Sequence, residues 1–303
     1  MPVQGEFKTI QKIKEMLLPL HRKDVKVGIG DDCSVLDIGL EKEYLLLGSD
    51  SIVEGKHFLY NMPDRSLIGR KAVGAALSDV AAMGGYPLFL TVDLGVPNYL
   101  EREHLEEIVS GMRFLLDLFD VDVVGGDTVK SDVLYLSVSV VGKVEKEKVV
   151  LRSGAKKSDW IWVSGPLGGS LYRRHLLVSP RIPEARFLVQ NFTPTAMIDI
   201  SDGLVKDLFH ILEESNVVAE LVKEKIPVHK DAKNWEEALY MGEDFELLFT
   251  LSEYDSQRML ASIGALPYRF YPIGKVVDSG AVGLYLRDGR NCYPLSPKGY
   301  EHF

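Results

Sequence analysis

Cysteine is nearly absent from this chain. Cys33 and Cys292 are the only two among 303 residues. So small a number excludes a disulfide framework and a thiolate zinc cluster, and it suits a reducing, cytoplasmic setting. Histidine is scarce as well, with seven, and neither cysteine has a basic neighbourhood, so no hydrolytic triad is evident. Long apolar runs are missing too: none approaches the roughly 18 to 20 residues of a membrane span. Met1 to Leu20 mixes acids and lysines with its apolar residues and forms no signal-peptide core. There is no excess of positive charge. The formal net charge of −9 speaks against a nucleic-acid partner, and it would repel an anionic substrate unless cations bridge the two. The Gly-x-x-x-x-Gly-Lys-Ser/Thr loop and the Gly-x-Gly-x-x-Gly fingerprint are both lacking. The protein-kinase set fails because Asp244-Phe245 is followed by Glu246. Any ATP site must be built another way.

What is present is aspartate, placed in a recurring manner. Gly28-Ile29-Gly30-Asp31-Asp32-Cys33, Leu47-Gly48-Ser49-Asp50, Val124-Gly125-Gly126-Asp127 and Ile198-Asp199-Ile200-Ser201-Asp202-Gly203 each end an apolar run in small residues and acid. Aspartate is a poor strand and mid-helix former. Four such endings point to strand ends converging on one acidic site. Hard oxygen ligands suit Mg²⁺, and Mg²⁺ suits phosphate chemistry. Taken singly, each stretch is equally compatible with an N-cap or a turn. Asp79 lies in the last turns of an alanine-rich helical stretch, where burial would be doubly unfavourable unless it faces water. Arg152 is a planar permanent cation suited to phosphate. Gly125-Gly126 and Gly168-Gly169-Ser170 would let backbone N–H groups approach phosphate oxygens. His57, in the loop Glu54-Gly55-Lys56-His57-Phe58, is the histidine best placed to meet a ligand.

The length predicts one large or two medium domains, and 46% apolar residues suffice for real cores. Phe7, Ile10, Ile13, Met16 and Leu17 predict an amphipathic helix over 7–18. Short strands are expected at 25–30 and 44–47. Asp64 reads as the N-cap of a helix reaching Met83 and closed by Gly84-Gly85. A strand at 88–94, a periodic helix from Asn98 to Phe119 and strands at 121–124 and 134–141 complete the first half. The charged run Lys143 to Lys148 sets a boundary, giving domains 1–145 and 146–303. The second half is expected to hold strands at 160–164, 196–200, 247–251 and 271–277, with helices after Pro183, after Gly203 and at 253–264. This order argues for α+β with mixed sheets rather than a strict βαβ repeat.

Together and in order, these motifs resemble the thiamine-monophosphate kinase family. The resemblance rests on Gly28 to Cys33, Ser49-Asp50 with Gly55-Lys56-His57-Phe58, Leu77-Ser78-Asp79-Val80-Ala81-Ala82-Met83-Gly84, Gly125-Gly126-Asp127-Thr128 and Arg152-Ser153-Gly154-Ala155. It extends to Ile198 through Leu204, Gly242-Glu243-Asp244-Phe245-Glu246-Leu247 and the tail Lys298 to Phe303. It implies a two-domain fold of the aminoimidazole ribonucleotide synthetase type. The N-terminal domains would pair across a homodimer into a β-barrel-like core, with ATP beside that interface. It implies that ATP and thiamine phosphate become ADP and thiamine diphosphate, the last step of thiamine diphosphate synthesis, with several Mg²⁺ ions. By position it assigns Asp32, Ser49, Asp50, Asp79, Asp127, Asp199 and Asp202 to metal. It assigns Gly126, Asp127, Arg152 and Ser201 to the nucleotide, and His57 and Glu243 to thiamine phosphate. Asp31 is placed behind the ligands. Where the family often carries an aromatic before Lys-Gly-Tyr this chain has Pro297, which leaves a ring contact there open.

The chemistry agrees with this assignment. A phosphate monoester has its second pKa near 6, so the attacking oxygen is already ionised at neutral pH and needs no strong base. The obstacle is repulsion between two polyanions, met by metal ions and in-line positioning. Direct transfer without a phosphoenzyme follows. The rivals are a sister ATP-dependent synthetase of the same superfamily, a non-catalytic Mg²⁺- and nucleotide-binding regulatory protein, and a metal-dependent phosphatase. Cys33 follows two aspartates, which raise its thiol pKa and argue against the selenophosphate branch.

Overall fold

The structure, a computed structural model, describes residues 6–299. After helix α1 (Glu6–Leu17) the chain builds a mixed sheet from β1 (Val25–Val27), β2 (Ser34–Leu36), β3 (Glu43–Val53), β4 (Tyr86–Val96), β5 (Asp122–Gly125), β6 (Thr128–Lys130) and β7 (Tyr135–Glu145). The order is β1-β2-β3-β7-β4-β5, with β6 on β4 beyond β5. The two last strands run parallel to β4 and the rest pair antiparallel. Along β3 the two-residue period sends Leu46 and Ile52 inward, and with them Asp50, while Leu47, Ser49 and Ser51 face out. Helices α2 (Ser66–Ala82) and α3 (Arg102–Phe119) cover the inner face. They touch closely. A side chain on Gly69 would overlap the carbonyl oxygen of Ile108, and one on Gly111 that of Ser66. The N-cap of α2 is Arg65 and not Asp64, which stands one residue earlier with its carboxylate accepting from the Ser66 N–H.

The second sheet holds β8 (Trp160–Val163), β9 (Pro194–Asp199), β10 (Val217–Val222), β11 (Leu247–Leu251), β12 (Tyr271–Ser279), β13 (Gly283–Asp288) and β14 (Asn291–Leu295) in the order β14-β13-β10-β12-β8-β11-β9. It carries α4 (Ile182–Asn191), α5 (Leu204–Ser215), the single turn α6 (Glu237–Tyr240) and α7 (Glu253–Ser262). One apolar core runs through both halves. It joins Ile68, Ala72, Ala76 and Val80 of α2 to Trp162, Met197, Leu247 and Phe249 of the second sheet. Helix α2 is thus the shared wall, against β3 and β7 on one side and β9 and α4 on the other.

The α+β class with mixed sheets is as expected. Within one chain the first sheet stays open, not closed into a barrel, and Leu47, Phe89, Val123, Val124 and Val129 are exposed on it or at its edge. Several features depart from expectation, among them strands β2 and β6, which no expected segment covers. Helix α3 begins at Arg102 rather than Asn98. Strand β10 follows α5 with only Asn216 between, in the left-handed region at φ 51°, so no loop-like run announces it. The hairpin β13–β14 is also unexpected: Leu284 and Leu286 alternate inward along β13, whereas β14 is almost wholly exposed. The side chain of Phe7 and residues Tyr300 to Phe303 lie outside the described residues.

Gly69→Ala is expected to destabilise the protein by about 1 to 3 kcal/mol, since α2 and α3 must separate to admit a methyl group. Gly264, with open space around it, is the control. Denaturant midpoints of the two alanine variants check this; equal midpoints would contradict the close helix contact.

Candidate active site

The acidic turns and α2 enclose one large cavity of about 930 Å³ between the two halves. Strand β1 ends at Val27, and Gly30, at φ 128°, turns the chain back so that Asp31 and Asp32 point inward. Asp31 accepts from the N–H groups of Asp32 (3.0 Å) and Arg152 (3.2 Å), which ties this turn to the start of the second half. Asp32 Oδ1 accepts from Arg152 Nη2 at 2.7 Å. Its Oδ2 is buried with no hydrogen-bond partner. Asp79 enters from the last turn of α2 and Asp199 from the end of β9. Oxygens of Asp32, Asp79 and Asp199 lie within 4.8 Å of one another. Ser78 Oγ donates to Asp199 Oδ2 at 2.6 Å.

So many carboxylates in one half-buried space oppose each other's ionisation. Burial, then Asp199, Asp50 and Asp32, hold the Asp79 carboxyl well above the usual range. Burial and Asp32 push Asp199 up to about 7. Burial and Asp32 do the same to Asp31. Burial disfavours the charged form of Arg152, but Asp32 and Asp31 overcome it and keep the guanidinium fully protonated. Among the described residues ten acids and four lysines or arginines line the cavity. The donor set is all hard oxygen, and Asp32 keeps one buried oxygen without a hydrogen bond. That fits Mg²⁺.

Ser49, Asp50, His57, Ser201, Asp202 and Glu243 also line the cavity, together with Asp32, Asp79, Asp199 and Arg152. Asp202 is paired with Lys206 at 2.9 Å. His57 Nδ1 accepts from the Val53 N–H. Gly126 and Asp127 do not line this cavity in the single chain. Strands β7 and β4 stand between β3 and the β5–β6 turn, about 14 Å at the usual spacing. Asp127 is exposed and its N–H donates to Asp93. Gly126, at φ 147°, is accounted for by the Val92 backbone, which leaves no room for a side chain. Gly168-Gly169-Ser170 lies outside the cavity as well, pressed on the backbone at 231–232 and 237–238. Exposed Pro297 does not line the cavity, although Gly299 packs on the Asp202 carbonyl.

Sequence reasoning missed Lys71 and His175. Lys71 is 1% exposed, and its Nζ lies 2.5 Å from Glu243 Oε1, 2.9 Å from the His57 carbonyl oxygen and 3.0 Å from His175 Nδ1. The signal was the helical stripe Lys71, Ala75, Asp79, at steps of four, which all line the cavity. Burial opposes ionisation of Glu243, but His175 and Lys71 hold its carboxyl below the usual range.

Residues 30–144 match the family described as AIR synthase related protein, N-terminal domain, and residues 170–287 match its C-terminal domain. The thiamine-monophosphate kinase of Bacillus subtilis (strain 168) is 34% identical over 98% of this chain and 99% of its own length. The chain belongs to the thiamine-monophosphate kinase family. A solved structure described as AaThiL complexed with AMPPCP and TMP matches with a TM-score of 0.85 at 31% identity, over 100% of this chain and 99% of that one. The family's enzyme from Aquifex aeolicus matches with a TM-score of 0.76 at 30% identity, over 94% and 98%.

Burial, with Asp79, Asp32, Asp31 and Asp199 around it, raises the Cys33 thiol well above its ordinary pKa, whereas Cys292 is exposed. In native protein a disulfide-exchange reagent is expected to titrate one thiol rapidly, and two after denaturation. Rapid reaction of both in the native state would contradict this placement of Cys33.

Proposed function

We propose that this protein is a thiamine-phosphate kinase: it transfers the γ-phosphoryl group of ATP to thiamine phosphate, giving ADP and thiamine diphosphate. A phosphate oxygen of thiamine phosphate attacks the γ-phosphorus, a P–O–P bond forms, and the bond to ADP breaks. The observation that carries this reading is the convergence of Asp32, Asp79 and Asp199 with Arg152 in one cavity, in a chain of this family. Asp32, Ser49, Asp50, Asp79, Asp199 and Asp202 would hold several Mg²⁺ ions. Bound there, Mg²⁺ neutralises the phosphate charge and orients the reacting groups. Arg152 and Ser201 face the nucleotide, and His57 and Glu243 face thiamine phosphate. Asp31 orients Asp32 and Arg152 through the bonds described above. No side chain serves as nucleophile, and none needs to remove a proton from an acceptor already ionised.

The chain would work as two domains, 1–145 and 146–303, in a cytoplasmic homodimer. The open face of the first sheet, with its exposed valines, Leu47 and Phe89, supports pairing with a second copy. Gly126 and Asp127 stand beside that face, and through the dimer they would reach the nucleotide and its metal. A regulatory protein without turnover would form no thiamine diphosphate, and a phosphatase would release inorganic phosphate instead.

Incubation with Mg²⁺, ATP and thiamine phosphate is expected to yield thiamine diphosphate and ADP in equal amounts by mass spectrometry. Inorganic phosphate without thiamine diphosphate would overturn the reading. Asp79→Asn is expected to lower turnover on the order of a hundredfold or more. In the absence of Mg²⁺ it should melt no lower than the parent, because it relieves crowding of like charge.

A further inference from the structure

We propose that Lys71 is a positioning residue for the acceptor: its ammonium fixes Glu243 and the His57 loop in the arrangement that receives thiamine phosphate. The proposal rests on the functional reading above. A lysine this deeply buried is retained only when well paired. Lys71 has three partners, the Glu243 carboxylate, the His57 carbonyl and His175 Nδ1, from three segments distant in sequence. His175 Nδ1 also lies 2.8 Å from Glu243 Oε2; when that nitrogen carries the proton it donates to the carboxylate, and when it does not it accepts from Lys71 instead.

Glu243 needs such a tie. It sits at φ 52°, between Gly242 at 73° and, two residues on, Phe245 at 51°. Left-handed backbone at non-glycine residues costs free energy and persists only where the surroundings enforce it. Gly242 is pressed against the backbone of Ser201 and Asp202, so the strained segment and the acidic turn share one support. Lys71 feels the charge of Asp50 but is set apart from Asp32, Asp79 and Asp199. Eight residues of helix separate it from Asp79, about 12 Å along the axis. It stands at the other end of the cavity, where His57 and Glu243 meet.

Calorimetric titration tests this with two probes, thiamine phosphate and a non-hydrolysable ATP analogue with Mg²⁺. Lys71→Met is expected to weaken thiamine phosphate binding about ten- to a hundredfold and to change analogue binding by no more than about twofold. Glu243→Gln should weaken the same ligand, and the double variant should be no weaker than the worse single one, because the lysine acts through the glutamate. Lys71→Gln carries the same expectation if the Met variant does not fold. Equal loss for both probes, or multiplying losses in the double variant, would overturn the proposal. So would wild-type affinity in Lys71→Met, and that result leaves the functional reading intact. Failure of the wild-type protein to bind thiamine phosphate would overturn both.

Discussion

Repulsion among the carboxylates of Asp32, Asp79 and Asp199 is the constraint on which the rest of the structure depends. Their oxygens lie within 4.8 Å of one another in a half-buried space. At that spacing like charges oppose ionisation by several kcal/mol unless positive charge intervenes. The chain supplies one nearby guanidinium, Arg152, which is spent on Asp32 and Asp31. Asp79 and Asp199 meet the rest of the repulsion by keeping their protons more tightly. A site of this kind stores electrostatic demand for cations, and a triphosphate brings a demand of the same sign. A divalent cation would answer both at once, which is the basis of the proposed Mg²⁺ requirement.

The scaffold holds that unfavourable cluster in place through apolar packing. Helix α2 carries Asp79 on one stripe and Ala72, Ala76 and Val80 on others, so the acid cannot withdraw without opening the core between the sheets. Small residues on α2 let α3 and the second half approach closely. Arg152 and Asp31 then stitch the first acidic turn to the second half, and Gly242 presses the glutamate loop onto the Ser201–Asp202 turn. The cavity is therefore a joint product of both sheets. Its two ends differ in character: oxygen ligands and a guanidinium at one, a buried ammonium–carboxylate pair at the other.

Much of this was legible before the structure. Asp32, Asp50, Asp199 and Asp202 stand out because aspartate after an apolar run is poorly explained by strand or helix, and Asp79 because an acid among small residues in a helix's last turns is costly to bury; all five line the cavity. The strand 247–251 follows from its apolar run, broken only by Thr250. Asp127 carried the same signature and lies elsewhere in the single chain. Strand order decides its place, and β7, last in sequence, inserts between β3 and β4. No local pattern encodes that insertion. Gly126 was read for phosphate, yet the backbone of β4 already demands a glycine there. Lys71 escaped notice because a lysine beside an arginine on a helix reads as solvated surface. Only the packing of three distant segments reveals it as interior.

The most direct test is a crystal structure of the protein with Mn²⁺ and a non-hydrolysable ATP analogue, read by anomalous scattering. The expected result is anomalous peaks bounded by Asp32, Asp79 and Asp199, within bonding distance of both carboxylate and phosphate oxygens. Phosphates bound by Lys and Arg alone, with no metal among those three aspartates, would contradict a cation-filled acidic cleft as the basis of phosphoryl transfer.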